Sequence, residues 1–140
     1  MVDDGHPDAC SKVILVVDDD ANVSNQLAEL LRCQGYHAAT VTSGAAALQF
    51  IETHGPPGLI LLDLIMPEMG GITVLSKVHE RYPEVPVCLV TALYDEHILK
   101  AAMRLGAYDC VTKPMNTDYL RTAVLIKMFE HRHPIPAHPN

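Results

Sequence analysis

Four segments of the chain end in residue types that act on phosphate or metal ions when brought together. Val13-Ile14-Leu15-Val16-Val17 runs into Asp18-Asp19-Asp20, and Leu59-Ile60-Leu61-Leu62 runs into Asp63. Val87-Cys88-Leu89-Val90 runs into Thr91, and Tyr108-Asp109-Cys110-Val111-Thr112 into Lys113-Pro114. Acid, acid, hydroxyl and amine thus stand at the ends of four largely apolar runs. After Asp63 come Leu64-Ile65-Met66-Pro67-Glu68-Met69-Gly70-Gly71, a turn by its Pro and Gly content. A carboxylate at the carboxyl end of a buried strand, on such a loop, is where an open α/β sheet presents its chemistry.

Three carboxylates meeting in one crevice repel: a pair about 4 Å apart costs roughly 4 kcal/mol at an effective dielectric near 20. Lys113 supplies one positive charge, so Asp18, Asp19 and Asp63 call for a divalent ion, and all-oxygen ligation suits Mg²⁺. A site so balanced admits a phosphoryl group, with Lys113 screening it, Thr91 donating a hydrogen bond and a carboxylate as nucleophile. An acyl phosphate on Asp63 would take its charge from −1 to about −1.5 to −2. The added charge draws Thr91 and Lys113 inward, a trigger for a surface change.

Alternating strands and helices must position these groups. Val23, Leu27, Leu30, Leu31 and Gln34 follow a helical stripe, and Gly35 is placed to close it in a left-handed cap. Tyr36 to Val41 reads as a short strand, and Ser43 caps a helix carrying Ala45, Leu48, Phe50 and Ile51 to His54, stopped by Gly55-Pro56-Pro57-Gly58. Ile72, Val74, Leu75 and Val78 mark a third helix ending near Tyr82-Pro83. Ile98, Leu99, Ala102, Met103 and Leu105 mark a fourth, up to Gly106. A fifth runs from about Thr117 to His131, with Leu120, Ala123, Val124 and Met128 inward.

Five such units predict a doubly wound α/β sandwich, a parallel sheet covered on both faces. The first, third and fourth strands are the most uniformly apolar and belong in the centre; the second and fifth carry His37 and Asp109 and belong at the edges. The order 2-1-3-4-5 satisfies this. It opens a switch point between Asp18/Asp19 and Asp63.

At 140 residues and 49% apolar content the chain fits one domain with one core. Its net charge of −7, with no Lys- or Arg-rich stretch, argues against direct nucleic-acid binding. No apolar run reaches bilayer length, and Met1 to Cys10 lacks the order of a signal peptide, so a cytoplasmic protein without a membrane partner is expected. Cys10, Cys33, Cys88 and Cys110 lack CxxC spacing and read as reduced thiols. His131, His133 and His138 lie in a Pro-punctuated tail that suits a flexible end better than a metal cage.

The motifs Val-Val-Asp18-Asp19-Asp20, Asp63-Leu-Ile-Met66-Pro67-Glu-Met-Gly-Gly, Val-Thr91-Ala92 and Thr-Lys113-Pro114 resemble the response-regulator receiver domains of two-component signalling, chemotaxis regulators among them. The likeness covers Lys12 to Glu130. It implies a flavodoxin-like three-layer sandwich over residues 12–130, between a flexible segment 1–11 and a flexible tail or truncated linker 131–140. It implies Asp63 as the phosphoacceptor, fed by a histidine kinase or phosphotransfer protein. Asp19, Asp63 and the Ile65 carbonyl would bind Mg²⁺ directly and Asp18 through water, with Thr91 and Lys113 on the phosphoryl oxygens and a cis peptide before Pro114. An output protein or fused effector would read the change, and the face of the fourth helix, fifth strand and fifth helix, with Leu125 and Phe129, would suit a partner or a homodimer.

The chain departs from the family pattern at a few places. Ile65 and Leu93 stand two residues after the acceptor and the threonine, where relatives often carry polar side chains. Cys110 stands where the family usually has a Tyr or Phe that swings inward with the threonine, and Tyr108, two residues earlier, is expected on the same strand face as a partial substitute. Two alternatives compete with the signalling switch. Asp18-x-Asp20, Thr91 and Lys113 also resemble a haloacid-dehalogenase-like phosphohydrolase with Asp18 as nucleophile, although no further acidic motif follows Lys113 and no segment is sized for a cap domain. An unphosphorylated receiver-like adaptor is the other.

Overall fold

The computed structural model describes residues 13–92, 95–113 and 117–132, with side chains at 117 and 129–132 excepted. Strand β1 (Val13–Val17) is followed by α1 (Ala21–Cys33), β2 (His37–Val41), α2 (Gly44–His54) and β3 (Leu59–Leu62). Then come α3 (Gly71–Arg81), β4 (Val87–Thr91), α4 (Glu96–Arg104), β5 (Asp109–Thr112) and α5 (Thr117–Arg132). All four strand pairings are parallel, in the order β2-β1-β3-β4-β5 expected from the apolar content of the strands.

Both sheet faces are buried, which is why the central strands tolerate no polar residue before their ends. On one face Leu15, Ile60, Leu62 and Leu89 pack against Ala47 and Ile51 of α2, Val74, Leu75 and Val78 of α3, and Ala102 of α4. On the other, Ile14, Val16, Leu59, Leu61 and Val90 pack against Leu27 and Leu31 of α1 and Leu120, Val124 and Met128 of α5. Each Leu or Ile of β3 is at most 1% exposed, and burying one contributes about 1.5–3 kcal/mol.

Helix ends follow local chemistry. The Asp20 carboxylate accepts from the N–H groups of Asn22 and Val23 and so caps α1, while the Ser43 hydroxyl accepts from Ala46 N–H at α2. Gly35 leaves α1 at φ +94°, as its cap requires. The inward stripe of α1 differs from the expected one: Ser24, Leu27, Ala28 and Leu31 are buried, and Gln34 is exposed. Small residues at 24 and 28 face the sheet, and the Ser24 hydroxyl is satisfied by donating to Ala21 C=O at 3.2 Å. On α4 only Ala102 is fully buried, while Ile98 and Met103 are turned outward.

Candidate functional site

The β1–β3 register sets Asp18 beside Asp63. Val17 pairs with Leu62, and Asp63 N–H donates to Val17 C=O at 3.0 Å, so each acid emerges one step past adjacent strand ends. Their exposures are 4% and 6%. Asp19 is exposed, yet its carboxylate reaches the same place: oxygens of Asp18, Asp19 and Asp63 lie within 4.8 Å of one another. Asp20 does not join them, since its carboxylate is engaged at the α1 cap.

Each buried carboxylate is aimed by its own turn. Asp18 Oδ1 accepts Asp20 N–H at 2.9 Å, and Asp63 Oδ1 accepts Ile65 N–H at 3.1 Å. The other oxygens accept from Lys113 Nζ, at 2.7 Å for Asp18 and 3.2 Å for Asp63. Partial burial pulls the Lys113 ammonium down, but hydrogen bonds and charge from Asp18 and Asp63 outweigh it and hold the group above the usual lysine range. One ammonium against three carboxylates leaves two negative charges, and acid pairs no more than 4.8 Å apart repel by at least about 3 kcal/mol at an effective dielectric near 20. Three hard oxygen donors with that surplus charge fit a divalent cation.

Thr91 ends β4 with no exposed surface, beside β3 at the same end of the sheet. Its carbonyl accepts Lys113 N–H at 2.9 Å, which ties the ends of β4 and β5 together. The Ile65 side chain is 53% exposed on the Asp63 loop. Leu93 and Pro114, and with Pro114 the expected cis peptide, lie outside the described residues, as do Cys10 and the tail beyond Arg132.

Gly71, read from sequence only as part of a turn, is a residue the site depends on. A Cβ there would stand 2.3 Å from Asp63 O and 2.6 Å from Leu64 Cα. Its N–H donates to Leu64 C=O at 3.0 Å, so α3 begins hard against the backbone that carries the acid. The Gly-Gly pair following Met69 was the one available signal. Glu68 adds a positive φ of 63° to the same loop.

The expectation that Tyr108 shares the face of Cys110 is corrected. Cys110 packs in the layer of α2, α3 and α4, whereas Tyr108 packs in the layer of α1 and α5. The reason is that β5 begins at Asp109, so Tyr108 escapes strand alternation. Lys127 Nζ sits 4.5 Å above its ring, a cation–π contact that seats the ring under α5. Tyr108 and Cys110 therefore lie on opposite faces of the sheet. Cys33, Cys88 and Cys110 are free thiols.

A parallel sheet in the order 2-1-3-4-5 that gathers acids and a lysine at its switch point defines a flavodoxin-like α/β protein. The model of the "Response regulator receiver domain" matches residues 14–125, and the chain belongs to that family, the receiver domains of two-component response regulators. It is 37% identical over 112 residues to the regulatory protein AtoC of Escherichia coli, covering 79% of this chain and 24% of AtoC. It is 34% identical over 112 residues to the chemotaxis protein CheY of Treponema pallidum, covering 79% of this chain and 78% of CheY. A CheY-like receiver domain from Methanospirillum hungatei superposes with a TM-score of 0.82 at 27% identity, covering 87% of this chain and 97% of that one.

The chain spans between about a quarter and a half of the length of several other curated relatives it matches. Receivers are signalling switches, and nothing in this membership supports the phosphohydrolase with Asp18 as nucleophile. No described helix is long and apolar enough to cross a membrane.

Proposed function

We propose that the protein is a phosphoacceptor switch that takes a phosphoryl group from a histidine kinase or phosphotransfer protein onto Asp63. The observation that carries this is the convergence of Asp18, Asp19 and Asp63 within 4.8 Å, with Lys113 bonded to two of them. An Asp63 carboxylate oxygen attacks phosphorus, the bond from phosphorus to the donor's nitrogen breaks, and that nitrogen leaves with its electron pair and takes a proton. Lys113 pairs with the transferred oxygens, and Thr91 donates its hydroxyl to them.

Asp19, Asp63 and the Ile65 carbonyl would hold Mg²⁺ directly and Asp18 through water; bound there, the ion offsets phosphoryl charge. The chain's own residues catalyse transfer to Asp63 and its later hydrolysis. Thr91 and Cys110 form the switch region, and the half-buried Cys110 thiol brings no ring to follow the threonine. The output is a partner or fused effector in the cytoplasm, engaged through the face of α4, β5 and α5, where Ile98, Met103, Tyr119, Leu125 and Ile126 are exposed and which also suits a homodimer. Residues 12–130 are taken as the receiver; α5 continues past that bound to Arg132, and 1–12 and 133–140 lie outside the described residues.

The test is to mix the protein with Mg²⁺ and a small acyl or amide phosphate donor and locate the label by mass spectrometry. Hydroxylamine-sensitive label on Asp63, lost in Asp63→Asn, supports the switch. No reaction favours an adaptor, and turnover through Asp18 refutes the acceptor assignment.

A further inference from the structure

Parallel sheets end in two strands whose outward N–H and C=O groups can template another chain. Here those strands are β2 and β5. Alternate residues of a parallel strand face its partner. Lys113 N–H donates to Thr91 C=O, and Val90 pairs with Val111, so Cys110 and Thr112 turn their backbone outward. At β2, Val41 C=O accepts from Asp18 N–H, so Val41, Ala39 and His37 face β1 and Ala38 turns outward.

A charged side chain occupies an outward group on each edge. Asp109 Oδ1 accepts Cys110 N–H at 2.8 Å, and Asp109 Oδ2 accepts from the Tyr119 hydroxyl at 2.9 Å, which anchors the carboxylate to α5. On the far edge, Arg32 Nη2 at the end of α1 donates to Ala38 C=O at 2.8 Å. An acceptor thus covers an amide at one edge and a donor covers a carbonyl at the other.

We propose that Asp109 and Arg32 close the two sheet edges against strand addition, so that association of this domain runs through side-chain faces and not through sheet extension. An incoming strand would have to displace a charge-assisted hydrogen bond at either edge, and at β5 it would also meet a carboxylate held in place by Tyr119. The assignment stands apart from the phosphoryl chemistry, since neither residue reaches the acid cluster.

The test compares the parent with Asp109→Ala, Asp109→Asn, Tyr119→Phe and Arg32→Met by amide hydrogen exchange and sedimentation velocity. Cys110 N–H should exchange about tenfold faster in Asp109→Ala, the worth of one such bond. In Tyr119→Phe, which alters only an exposed phenol, it should exchange several-fold faster; in Asp109→Asn, whose amide oxygen still accepts, it should stay near the parent rate. Asp109→Ala and Arg32→Met should each self-associate beyond the parent, with Cys110 and Ala38 backbone signals shifting as they do, and the double variant should form longer assemblies because both edges are open. Unchanged exchange at Cys110 in Asp109→Ala and Tyr119→Phe, Asp109→Asn behaving as Asp109→Ala, or a double variant that sediments as the parent would overturn the proposal.

Discussion

Lys113 donates to Asp18 across 2.7 Å although 95 residues separate them, and the same ammonium reaches Asp63 at 3.2 Å. The lysine therefore occupies carboxylate oxygens that a cation would also seek. Structure and site chemistry are coupled at this one nitrogen.

Replacing that lysine separates its two roles. In Lys113→Met, a divalent cation should bind about tenfold more tightly, because a competing charge worth about 1.4 kcal/mol has gone. Without cation the variant should be less stable by about 2 kcal/mol, since two nearly buried carboxylates lose a charged partner. Added Mg²⁺ should recover part of that loss by mass action. Calorimetric Mg²⁺ titration and urea unfolding check both, and an affinity equal to the parent's would refute the competition.

Gly71→Ala tests the contact between α3 and the acid-bearing backbone. The added methyl has no room against Asp63 O, so the loop must shift at a cost of about 1–3 kcal/mol, with weaker Mg²⁺ binding as Asp63 moves. A variant with parental stability and cation affinity would show that the backbone yields freely there.

Gly70→Ser should work in the opposite direction. Gly70 caps α3 without a side-chain bond, its φ of −71° and ψ of 166° suit any residue, and a Cβ would meet only Leu64 O at an ordinary 3.7 Å. A serine hydroxyl can accept a first-turn N–H, and the loss of glycine freedom in the unfolded chain adds to it, for a gain of about 0.5–1 kcal/mol. Thermal and urea unfolding would expose the error if stability fell.

Alkaline stability reports on Cys88. Burial, helped by the Asp109 charge, pushes this thiol up to about 12, whereas an unfolded thiol titrates near 8.5. Between those values the unfolded chain has lost a proton that the folded chain keeps, so stability falls as pH rises, by at most about 1.4 kcal/mol per unit. Cys88→Ala should flatten this slope between about pH 9 and 12, whatever its fixed packing cost. Tyr108, likewise raised by burial, contributes to both proteins, so the slopes are what is compared. Parallel slopes in urea unfolding across that range would contradict the account.

Much of this architecture was legible in the amino-acid order. Runs such as Leu59–Leu62 are apolar on both alternating faces, which only a strand covered on two sides requires, and from these runs the sheet order and the strand ends bearing Asp18, Asp63, Thr91 and Lys113 followed. The cap at Ser43 and the left-handed exit at Gly35 are local chemistry, read without knowledge of neighbours.

Other features depended on which surfaces meet. Periodicity says which residues share a face but not how near the opposing surface stands, so α1 buried the small Ser24 and Ala28 beside Leu27 and Leu31 and left Gln34 exposed. Strand alternation holds only within the ladder, so Tyr108, one residue outside β5, went to the layer of Lys127, apart from that of Cys110. Close approach at Gly71, the Lys113 bridge and the Asp109–Tyr119 contact each join segments far apart in the chain or lacking a periodic signal. One-dimensional order sets what each segment prefers, and three-dimensional packing alone decides the distances between them.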